Sequence, residues 1–401
     1  MAFYEAEQTA VHGYVSTEFS RVWAAFADNF AERGELGAAC CIYHRGRRVV
    51  DLWGGIRDKG TGAPWEEGTM ALVFSATKGM AALTMALAHS RGWLDYDERV
   101  CTYWPEFAQN GKERITVRQL LAHQAGLFGF DEPVDRAVIA DLDRLAGVMA
   151  RQRPEWPPGT RQAYHAISLG FYEGEIIRRV DPRHRTLGRV FQEEIAERLG
   201  EEFYIDLPED IPDGRLAPLV LRNPFRNLLG LSPRLAVAAF SKRSVLYRSV
   251  IANPGTLVAL DPRRVYARGL EVPSGGGVGT ARALAHAYGV MADGGAELGL
   301  LPATLAELSA LPIPPEHGFH DECMGADLRF SLGFMRPSPV WRFGGPRSFG
   351  APGAGGSFGY ADPDAGIGYA YVCNRMGESK DDPRDVALRA AMDASLADLS
   401  V

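Results

Sequence analysis

The sequence predicts an α/β fold in which strands from both ends of the chain form one sheet and a helical region is inserted between them. Three observations support this. Strand patterns occupy residues 36–53 and recur in residues 328–374, and helical patterns with proline-bounded loops fill the centre. A chain of 401 residues can bury a large core and form two or three structural units.

The first part of the chain predicts a helix, a hairpin and a buried helix, in that order. Residues 17–33 carry aromatic and aliphatic side chains at helical spacing. Residues 36–44 and 47–53 are predicted strands, and the intervening Arg45-Gly46 is a hairpin signal. Residues 79–88 are almost wholly apolar, which predicts a helix buried on most of its sides.

The centre is predicted to be helical, and strands return near the C-terminus. Residues 201–273 show no clear period and are predicted only as helices and irregular loops. The other predicted helices are 116–122, 139–151, 167–179, 191–199, 281–291 and 387–399, and the predicted strands are 328–335, 357–362 and 366–374.

Ser75-Ala76-Thr77-Lys78 is the strongest chemical signal, because it places a nucleophile and a base at positions i and i+3 of a helix start. A buried lysine with a lowered pKa could deprotonate Ser75, and free N–H groups at the helix start could stabilise an oxyanion there. Taken alone, this four-residue motif is weak evidence for a catalytic site. On these residues alone, Ser75 or Thr77 could instead cap a core helix while Lys78 reaches outward.

Tyr164 and His165 lie directly before the helix predicted from residue 167. Tyr164 is a candidate proton relay between nucleophile and leaving group, and the alternative is a half-buried structural tyrosine. His165 is a second candidate base, but a histidine that packs against or supports the site is the favoured interpretation, because the side chains of neighbouring residues generally point in different directions.

A glycine-rich segment contains Gly355-x-Ser357-x-Gly359, which matches a nucleophile-elbow pattern. That pattern requires a strand, a turn and a helix, whereas residues 358–363 predict a strand followed by a turn. Ser357 is therefore the rival nucleophile to Ser75, and the less favoured one. The glycines are better suited to let a strand backbone approach a bound acyl group and supply an oxyanion N–H.

Composition excludes several classes of partner. Lys and Arg total 43 against 50 Asp and Glu, and the net charge of −7 favours a small neutral substrate over nucleic acid or an anionic membrane. Five scattered cysteines indicate neither a disulfide framework nor zinc, and residues 317–322 lack a third clear metal ligand. We expect no metal and no cofactor.

The sequence also bears on where the protein works. Its first residues lack the basic and apolar regions of a secretory signal, and no run of about 20 apolar residues is present. The sequence therefore predicts a cytoplasmic protein that neither enters a membrane nor binds one. Oligomeric state is not indicated.

The order of these motifs resembles that of serine β-lactamase-fold hydrolases, and in particular the family VIII carboxylesterases related to class C β-lactamases. Over most of the chain the resemblance is carried by Ser75-Ala76-Thr77-Lys78, Leu120-Leu121-Ala122-His123-Gln124-Ala125-Gly126-Leu127, Trp156-x-Pro158-Gly159, Tyr164 and Gly356-Ser357-Phe358-Gly359-Tyr360.

The resemblance implies an α/β plus all-α architecture, in which an antiparallel sheet built from both termini and flanked by helices carries an inserted helical domain. We expect residues 1–90 and 275–401 to form the α/β domain and residues 91–274 the helical one. The implied catalytic residues are Ser75 as the acylated nucleophile, Lys78 as its base and Tyr164 as the proton shuttle. The implied oxyanion and substrate-binding groups are Ser75, Gly353, Ala354, Gly355 and His165.

Two departures from the β-lactamase pattern bear on the substrate. The chain has Tyr164-His165-Ala166 where related β-lactamases have Tyr-x-Asn, and Ala351-Pro352-Gly353 where they have Lys-Thr-Gly. These losses remove an amide and a cation, so the resemblance implies a serine carboxylesterase for small, short-chain neutral esters. The alternatives are a β-lactamase-like or peptidase-like hydrolase, an acyltransferase, or a non-catalytic binding protein.

Overall fold

A large antiparallel sheet forms the centre of the molecule. The computed structural model describes residues 11–221, 233–252, 268–377 and 381–399. The strands in these ranges are β1 (Val11–Val15), β2 (Gly37–His44), β3 (Arg47–Asp58), β4 (Ala63–Pro64), β5 (Ala71–Leu72), β6 (Phe203–Tyr204), β7 (Val278–Gly279), β8 (His320–Asp321), β9 (Ala326–Asp327), β10 (Arg329–Ser331), β11 (Phe334–Arg336), β12 (Phe349–Pro352), β13 (Phe358–Asp362) and β14 (Ile367–Cys373).

The order of strands confirms that the sheet is built from both ends of the chain. Along the main sheet the order is β1-β3-β2-β14-β13-β12-β11-β10, with every neighbouring pair antiparallel. The join between the ends is the β2–β14 pair, in which Cys40 lies opposite Tyr371. The predicted hairpin turn at Arg45-Gly46 has φ values of 50° and 71°, typical of a tight turn between antiparallel strands.

Helices cover both faces of this sheet and form the central region. The described helices are α1 (Ser20–Ala31), α2 (Thr77–Ser90), α3 (Val100–Tyr103), α4 (Val117–Leu121), α5 (Arg136–Ala140), α6 (Leu142–Arg151), α7 (Ser168–Val180), α8 (Leu187–Phe191), α9 (Glu197–Leu199), α10 (Pro233–Phe240), α11 (Ala281–Ala292), α12 (Pro302–Ser309) and α13 (Pro383–Leu399). Short 3₁₀ turns include Phe74–Ala76, and Tyr247–Ile251 is a π-helical turn.

The alternation of side chains along β2 explains the two layers of helices. Cys40 packs in the core formed with α1 and α13, whereas the next residue, Cys41, packs in the core formed with α2 and α11. Both cysteines are fully buried, as expected for small hydrophobic residues in a buried strand. On the second face α11 approaches β14 closely, because a Cβ added to Gly368 would lie 2.1 Å from Gly289 N.

Two predicted elements are wrong in detail. The single strand predicted over residues 328–335 is a hairpin of β10 and β11, turned by Leu332 and Gly333 at φ values of 50° and 86°. The helix predicted over 139–151 is divided at Asp141, whose side chain accepts a hydrogen bond from Arg144 N–H and so begins a new helix. The segment 201–273, for which the sequence shows no clear period, includes residues 222–232 and 253–267, which lie outside the described ranges.

α2 lies between the sheet and the helical region, and its residues from Thr77 to Ala88 are all buried. It begins directly after the Ser75 turn. The predicted nucleophile therefore lies at the N-terminus of a helix that is packed in the core. Among the described residues, no helix is both long enough and apolar enough to cross a lipid bilayer.

Candidate active site

Ser75 lies in a tight turn at the start of α2. The preceding residue, Phe74, has a φ of 48°, a left-handed conformation that costs a non-glycine residue about 1–2 kcal/mol. The Thr77 hydroxyl stabilises the turn, since it donates to Phe74 O at 2.5 Å and accepts Gly277 N–H at 2.8 Å. Ser75 is partly exposed, whereas Phe74 and Thr77 on either side are buried.

Lys78 is buried directly behind this serine. Its amine lies 3.3 Å from Ser75 Oγ and donates to Ala166 O at 2.6 Å and Ser274 O at 2.7 Å. Burial lowers the pKa of Lys78 to about 7, and the carboxyl of Glu173 acts in the opposite direction. This lowered pKa favours the neutral amine that a general base requires at neutral pH.

Tyr164 completes the group from the segment before α7. Its ring centroid lies 4.9 Å from Lys78 Nζ, and its ring stacks on Phe330 at 5.7 Å. Burial raises the pKa of the Tyr164 hydroxyl, and a hydrogen bond with the Ser75 side chain opposes this rise. The structure therefore brings the three predicted catalytic side chains together, although they are up to 89 positions apart in the sequence.

Ser249 holds the Tyr164 segment in place, and sequence reasoning missed it. Its hydroxyl donates to Tyr164 O at 2.6 Å and accepts Ala166 N–H at 3.1 Å, so it spans the intervening peptide. Ala166 O is also one of the two carbonyls that hold Lys78. No signal in residues 244–252 could have identified this contact, because it joins two segments about 85 residues apart.

His165 is buried against backbone groups, as expected for a packing histidine and not for the substrate-binding residue that the resemblance implies. The side chain is fully buried, Nδ1 lies 2.6 Å from Ala163 O, and Nε2 accepts Leu127 N–H at 3.1 Å. Both ring nitrogens are thus occupied by backbone groups, and burial lowers the pKa of His165 to about 4. His165 is a neutral structural histidine, and its neighbour Tyr164 points to the other side.

His123 is a second residue that sequence reasoning did not single out as part of the site. Its ring packs edge-on against Tyr164 at 5.1 Å and Phe330 at 4.5 Å, while Nδ1 accepts His165 N–H at 3.0 Å. Its φ of 61° is left-handed, as happens in tight turns. The motif around His123 therefore supports the Tyr164 ring from behind.

The glycine-rich segment after β12 lies beside the Ser75 turn. A Cβ added to Gly353 would lie 2.1 Å from Val73 O, so only glycine permits this approach. Gly353 N–H donates to Ser357 O at 2.7 Å, so this N–H is used within its own turn and the expected strand donor is the N–H near Ala354. The next residue, Ala354, packs in a cluster with Phe74. The Gly355 carbonyl accepts a hydrogen bond from Gly377 N–H at 2.8 Å, which fixes the segment against the chain after β14.

Ser357 does not lie in a nucleophile elbow. It lies at the end of a turn and is followed by strand β13 rather than by a helix. The side chain is buried, and its hydroxyl accepts Cys373 N–H at 3.3 Å. The glycine-rich segment therefore serves as a close-packed strand end, as its strand-like pattern predicts.

Comparisons with known proteins identify the family of this chain. The β-lactamase family model matches residues 23–393. The esterase/β-lactamase LipL of Mycobacterium tuberculosis is 32% identical over 375 residues, which cover 91% of this chain and 83% of that protein.

Solved structures give the same family. A family VIII carboxylesterase is 36% identical with a TM-score of 0.84, covering 96% of this chain and 100% of that chain. A penicillin-binding protein homologue from Caulobacter crescentus is 34% identical with a TM-score of 0.81, again over 96% of this chain and 100% of that chain. The chain therefore belongs to the β-lactamase family of serine hydrolases, and the resemblance to family VIII carboxylesterases is confirmed.

Proposed function

We propose that this protein hydrolyses small, short-chain carboxylic esters through an acyl-enzyme formed on Ser75, with Lys78 as the base and Tyr164 as the proton shuttle. One observation carries the proposal: the amine of Lys78 lies 3.3 Å from Ser75 Oγ, and burial lowers the pKa of Lys78 to about 7. A serine hydroxyl becomes a useful nucleophile at neutral pH only when such a base is in reach.

Acylation begins when the Ser75 O–H bond breaks and its proton passes to Lys78 Nζ. Ser75 Oγ forms a bond to the ester carbonyl carbon at the same time, and the carbonyl electron pair moves onto its oxygen. The intermediate collapses as the bond to the alcohol oxygen breaks. Tyr164 gives its proton to that oxygen and is reprotonated from Lys78, so that the site returns to its starting protonation state. Water then repeats the sequence on the acyl-enzyme.

The oxyanion would be stabilised by backbone N–H groups of Ser75 and Ala354. Ser75 precedes the N-terminus of α2, where N–H groups carry partial positive charge. Ala354 is the next residue after Gly353, whose close approach to Val73 O brings the strand end to the Ser75 turn. Loss of one oxyanion donor typically lowers kcat by about 100-fold or more.

A neutral ester fits the chemistry of the two motif departures. Ala166 offers a methyl group in place of an amide, and residues 351–353 provide no cation for a substrate carboxylate. The aromatic wall of Tyr164 and Phe330 suits an apolar acyl or alcohol group. The names of two relatives, one an esterase/β-lactamase and one a penicillin-binding protein homologue, make amide or β-lactam hydrolysis the second candidate.

The test is hydrolysis of a short p-nitrophenyl ester by the native protein, by Ser75→Ala and by Ser357→Ala. We expect Ser75→Ala to be inactive and Ser357→Ala to remain active. Activity retained in Ser75→Ala would overturn the proposal. For the native protein, kcat/KM should fall as pH drops below about 7, because the lowered pKa of Lys78 leaves a neutral amine above that value and an ammonium below it.

The same preparation separates the alternatives. Parallel assays with a cephalosporin, a peptide amide, and the ester plus a primary alcohol measure β-lactamase, amidase and acyltransferase activity. Ester turnover well above the other rates supports the esterase. A faster β-lactam rate would make the second candidate the function.

A further inference from the structure

Glu173 in α7 is a buried carboxyl group that the proposed reaction does not use. It is fully buried, and neither carboxylate oxygen accepts a hydrogen bond from any described residue. A buried carboxyl group without hydrogen bonds either becomes neutral or needs a nearby positive charge to stabilise its ionised form. The packing around Glu173 identifies Lys78 as the positive group that could stabilise its ionised form.

The packing of α7 shows that its Glu173 face is directed toward the Lys78 site. A Cβ added to Gly170 would lie 2.3 Å from Ser274 N, and Ser274 O accepts the hydrogen bond from Lys78. The face of α7 that carries Gly170 therefore lies beside Ser274, whose carbonyl oxygen holds the Lys78 amine. Glu173 is three residues further along and lies on the same face.

The packing of α2 locates the carboxyl group independently. A Cβ added to Gly333 would lie 3.1 Å from Glu173 Oε1 and 2.7 Å from Ala82 Cβ, so the carboxyl lies close to Ala82. Ala82 is four residues after Lys78 in α2, and hence on the same face one helical turn away, or about 5–6 Å. The buried carboxyl of Glu173 therefore lies between α2 and α7, about one helical turn along α2 from the buried Lys78.

The charges of Glu173 and Lys78 act on each other. Burial raises the pKa of Glu173 to about 8, and the positive charge of Lys78 opposes this rise. The other titratable group that interacts with Glu173 is Tyr96, whose hydroxyl is buried and forms no hydrogen bond with the described residues. Arg118 and Glu307 interact with Tyr96 but do not act on Glu173.

The groups on the other side of Lys78 provide no negative charge. His123 and His165 interact with Lys78, and burial lowers the pKa of both, so they stay neutral at neutral pH. Ser75 and Tyr164 complete the surroundings as hydroxyl groups. Within the described residues, Glu173 is thus the acid that acts on the Lys78 amine.

We propose that Glu173 is a positioning residue that keeps Lys78 basic enough to take the proton of Ser75, by supplying the negative charge that stabilises the Lys78 ammonium. This inference rests on the proposed role of Lys78. Glu173 transfers no proton to substrate. In the fraction of molecules in which Glu173 is ionised, its carboxylate favours the ammonium formed when the Ser75 O–H bond breaks. Because burial raises the pKa of Glu173 to about 8, that fraction grows as pH rises toward this value, and it offsets part of the burial that otherwise favours the neutral amine.

The direct test follows the protonation of Lys78 by NMR. The sequence holds five lysines, so protein labelled with ε-¹³C lysine gives few signals, and Lys78→Arg identifies the Lys78 signal. We would compare the wild type, Glu173→Gln and Glu175→Gln between about pH 5 and 11. Glu175 is the matched control, because it lies in the same helix but pairs with Arg178 and Arg179.

We expect the Lys78 midpoint in Glu173→Gln to fall by up to about one pH unit, since a fully ionised neighbour shifts a pKa by about 1–3 units and Glu173 is only partly ionised where Lys78 titrates. It should not move in Glu175→Gln. The buried Lys112, which does not interact with Glu173, provides an internal reference in every spectrum. A Lys78 midpoint that stays constant or rises in Glu173→Gln would overturn the inference. If Glu173→Gln does not fold, Glu173→Met, which replaces the charge with an apolar side chain of similar size, answers the same question.

Kinetics give the second readout. In Glu173→Gln the acid limb of the kcat/KM profile should move to lower pH while the plateau rate falls several-fold, because a weaker base accepts the Ser75 proton less readily. A purely structural defect lowers the rate without moving the limb. The NMR titration needs no turnover, so it decides the role of Glu173 even if Ser75→Ala shows that the proposed reaction is wrong.

Discussion

Two buried lysines of this protein, Lys78 and Lys112, have nearly the same immediate surroundings. Lys78 donates to Ala166 O at 2.6 Å and Ser274 O at 2.7 Å, and Lys112 donates to Ala150 O at 2.6 Å and Gln152 O at 2.7 Å. Each amine lies about 5 Å from an aromatic ring centroid, 4.9 Å for Tyr164 and 5.0 Å for Phe107. Burial lowers the pKa of both, to about 7 for Lys78 and about 8 for Lys112.

The differences between these sites show what a base requires beyond a lowered pKa. Lys78 faces a hydroxyl nucleophile, Ser75, and its aromatic neighbour carries a second hydroxyl. Among the described residues, Lys112 faces no hydroxyl nucleophile and no aromatic hydroxyl. Its two carbonyl acceptors are at and just beyond the C-terminal end of α6, where a cation stabilises the helix terminus. Desolvation of a lysine is therefore common to a structural and a candidate catalytic site, and the surrounding hydroxyl groups distinguish them.

Replacing each lysine by methionine is the strongest test of this comparison. We expect Lys78→Met to lower kcat by about 1000-fold or more, because the base is lost. Lys112→Met should keep kcat near that of the wild type and lower the free energy of unfolding by about 1–3 kcal/mol, because two buried carbonyls lose their donor. Ester hydrolysis and urea unfolding of both variants measure these effects. An active Lys78→Met would remove the distinction between the two sites.

Tyr164→Phe makes the Lys78 site resemble the Lys112 site, where the aromatic neighbour is Phe107. We expect kcat to fall by about 100-fold or more while the fold is retained, because the proton shuttle to the leaving group is lost. Tyr172→Phe is the matched control, since the buried Tyr172 hydroxyl forms no hydrogen bond with the described residues. Equal effects of the two substitutions on kcat would show that the Tyr164 hydroxyl has no chemical role.

Ser249→Ala tests a smaller difference between the two sites. The Ala166 carbonyl that holds Lys78 depends on a distant hydroxyl, whereas the carbonyls that hold Lys112 belong to the end of a helix. We expect kcat to fall by about tenfold with KM little changed, because Tyr164 and Lys78 lose a shared support.

Ser244→Ala is the control for that variant. Its hydroxyl donates to Ala238 O at 2.6 Å within the same segment and does not contact Tyr164. Steady-state kinetics of both variants should separate them. If Ser244→Ala lowers kcat as much as Ser249→Ala, the effect comes from loosening the segment and not from the contact with Tyr164.

Much of the fold and the centre of the site could be predicted because they depend on local patterns. The hairpin at Arg45-Gly46, the buried α2 and the Ser75–Lys78 spacing each lie within a short stretch of sequence, and the described structure contains all three. The division of the chain at residues 90 and 274 into two domains stays a prediction, as do the catalytic roles.

The remaining features depend on long-range contacts that no local pattern encodes. The resemblance implies a substrate-binding role for His165, yet both of its ring nitrogens contact backbone groups. Ser249 and Glu173 contribute through neighbours about 85 and 95 positions away in sequence, across helix packing that the residues themselves do not reveal. Gly353 lies beside the serine turn, and its N–H is used within its own turn, which its glycine-rich pattern does not reveal.

The smallest predicted effect concerns how stability depends on pH at the Lys112 site. The folded pKa of Lys112 is about 8, and the unfolded value is about 10.4, so between these values the folded protein binds fewer protons than the unfolded chain. Unfolding then takes up a proton, and stability contributed by this group rises with pH across that window and is lost as pH falls through it. Lys112→Met should make the rise shallower, by at most about 1.4 kcal/mol for each pH unit. Urea unfolding at several pH values, with the exposed Lys59→Met as control, measures the slope. An unchanged slope in Lys112→Met would mean that its amine stays charged in the folded protein, and that desolvation alone does not make a buried lysine neutral.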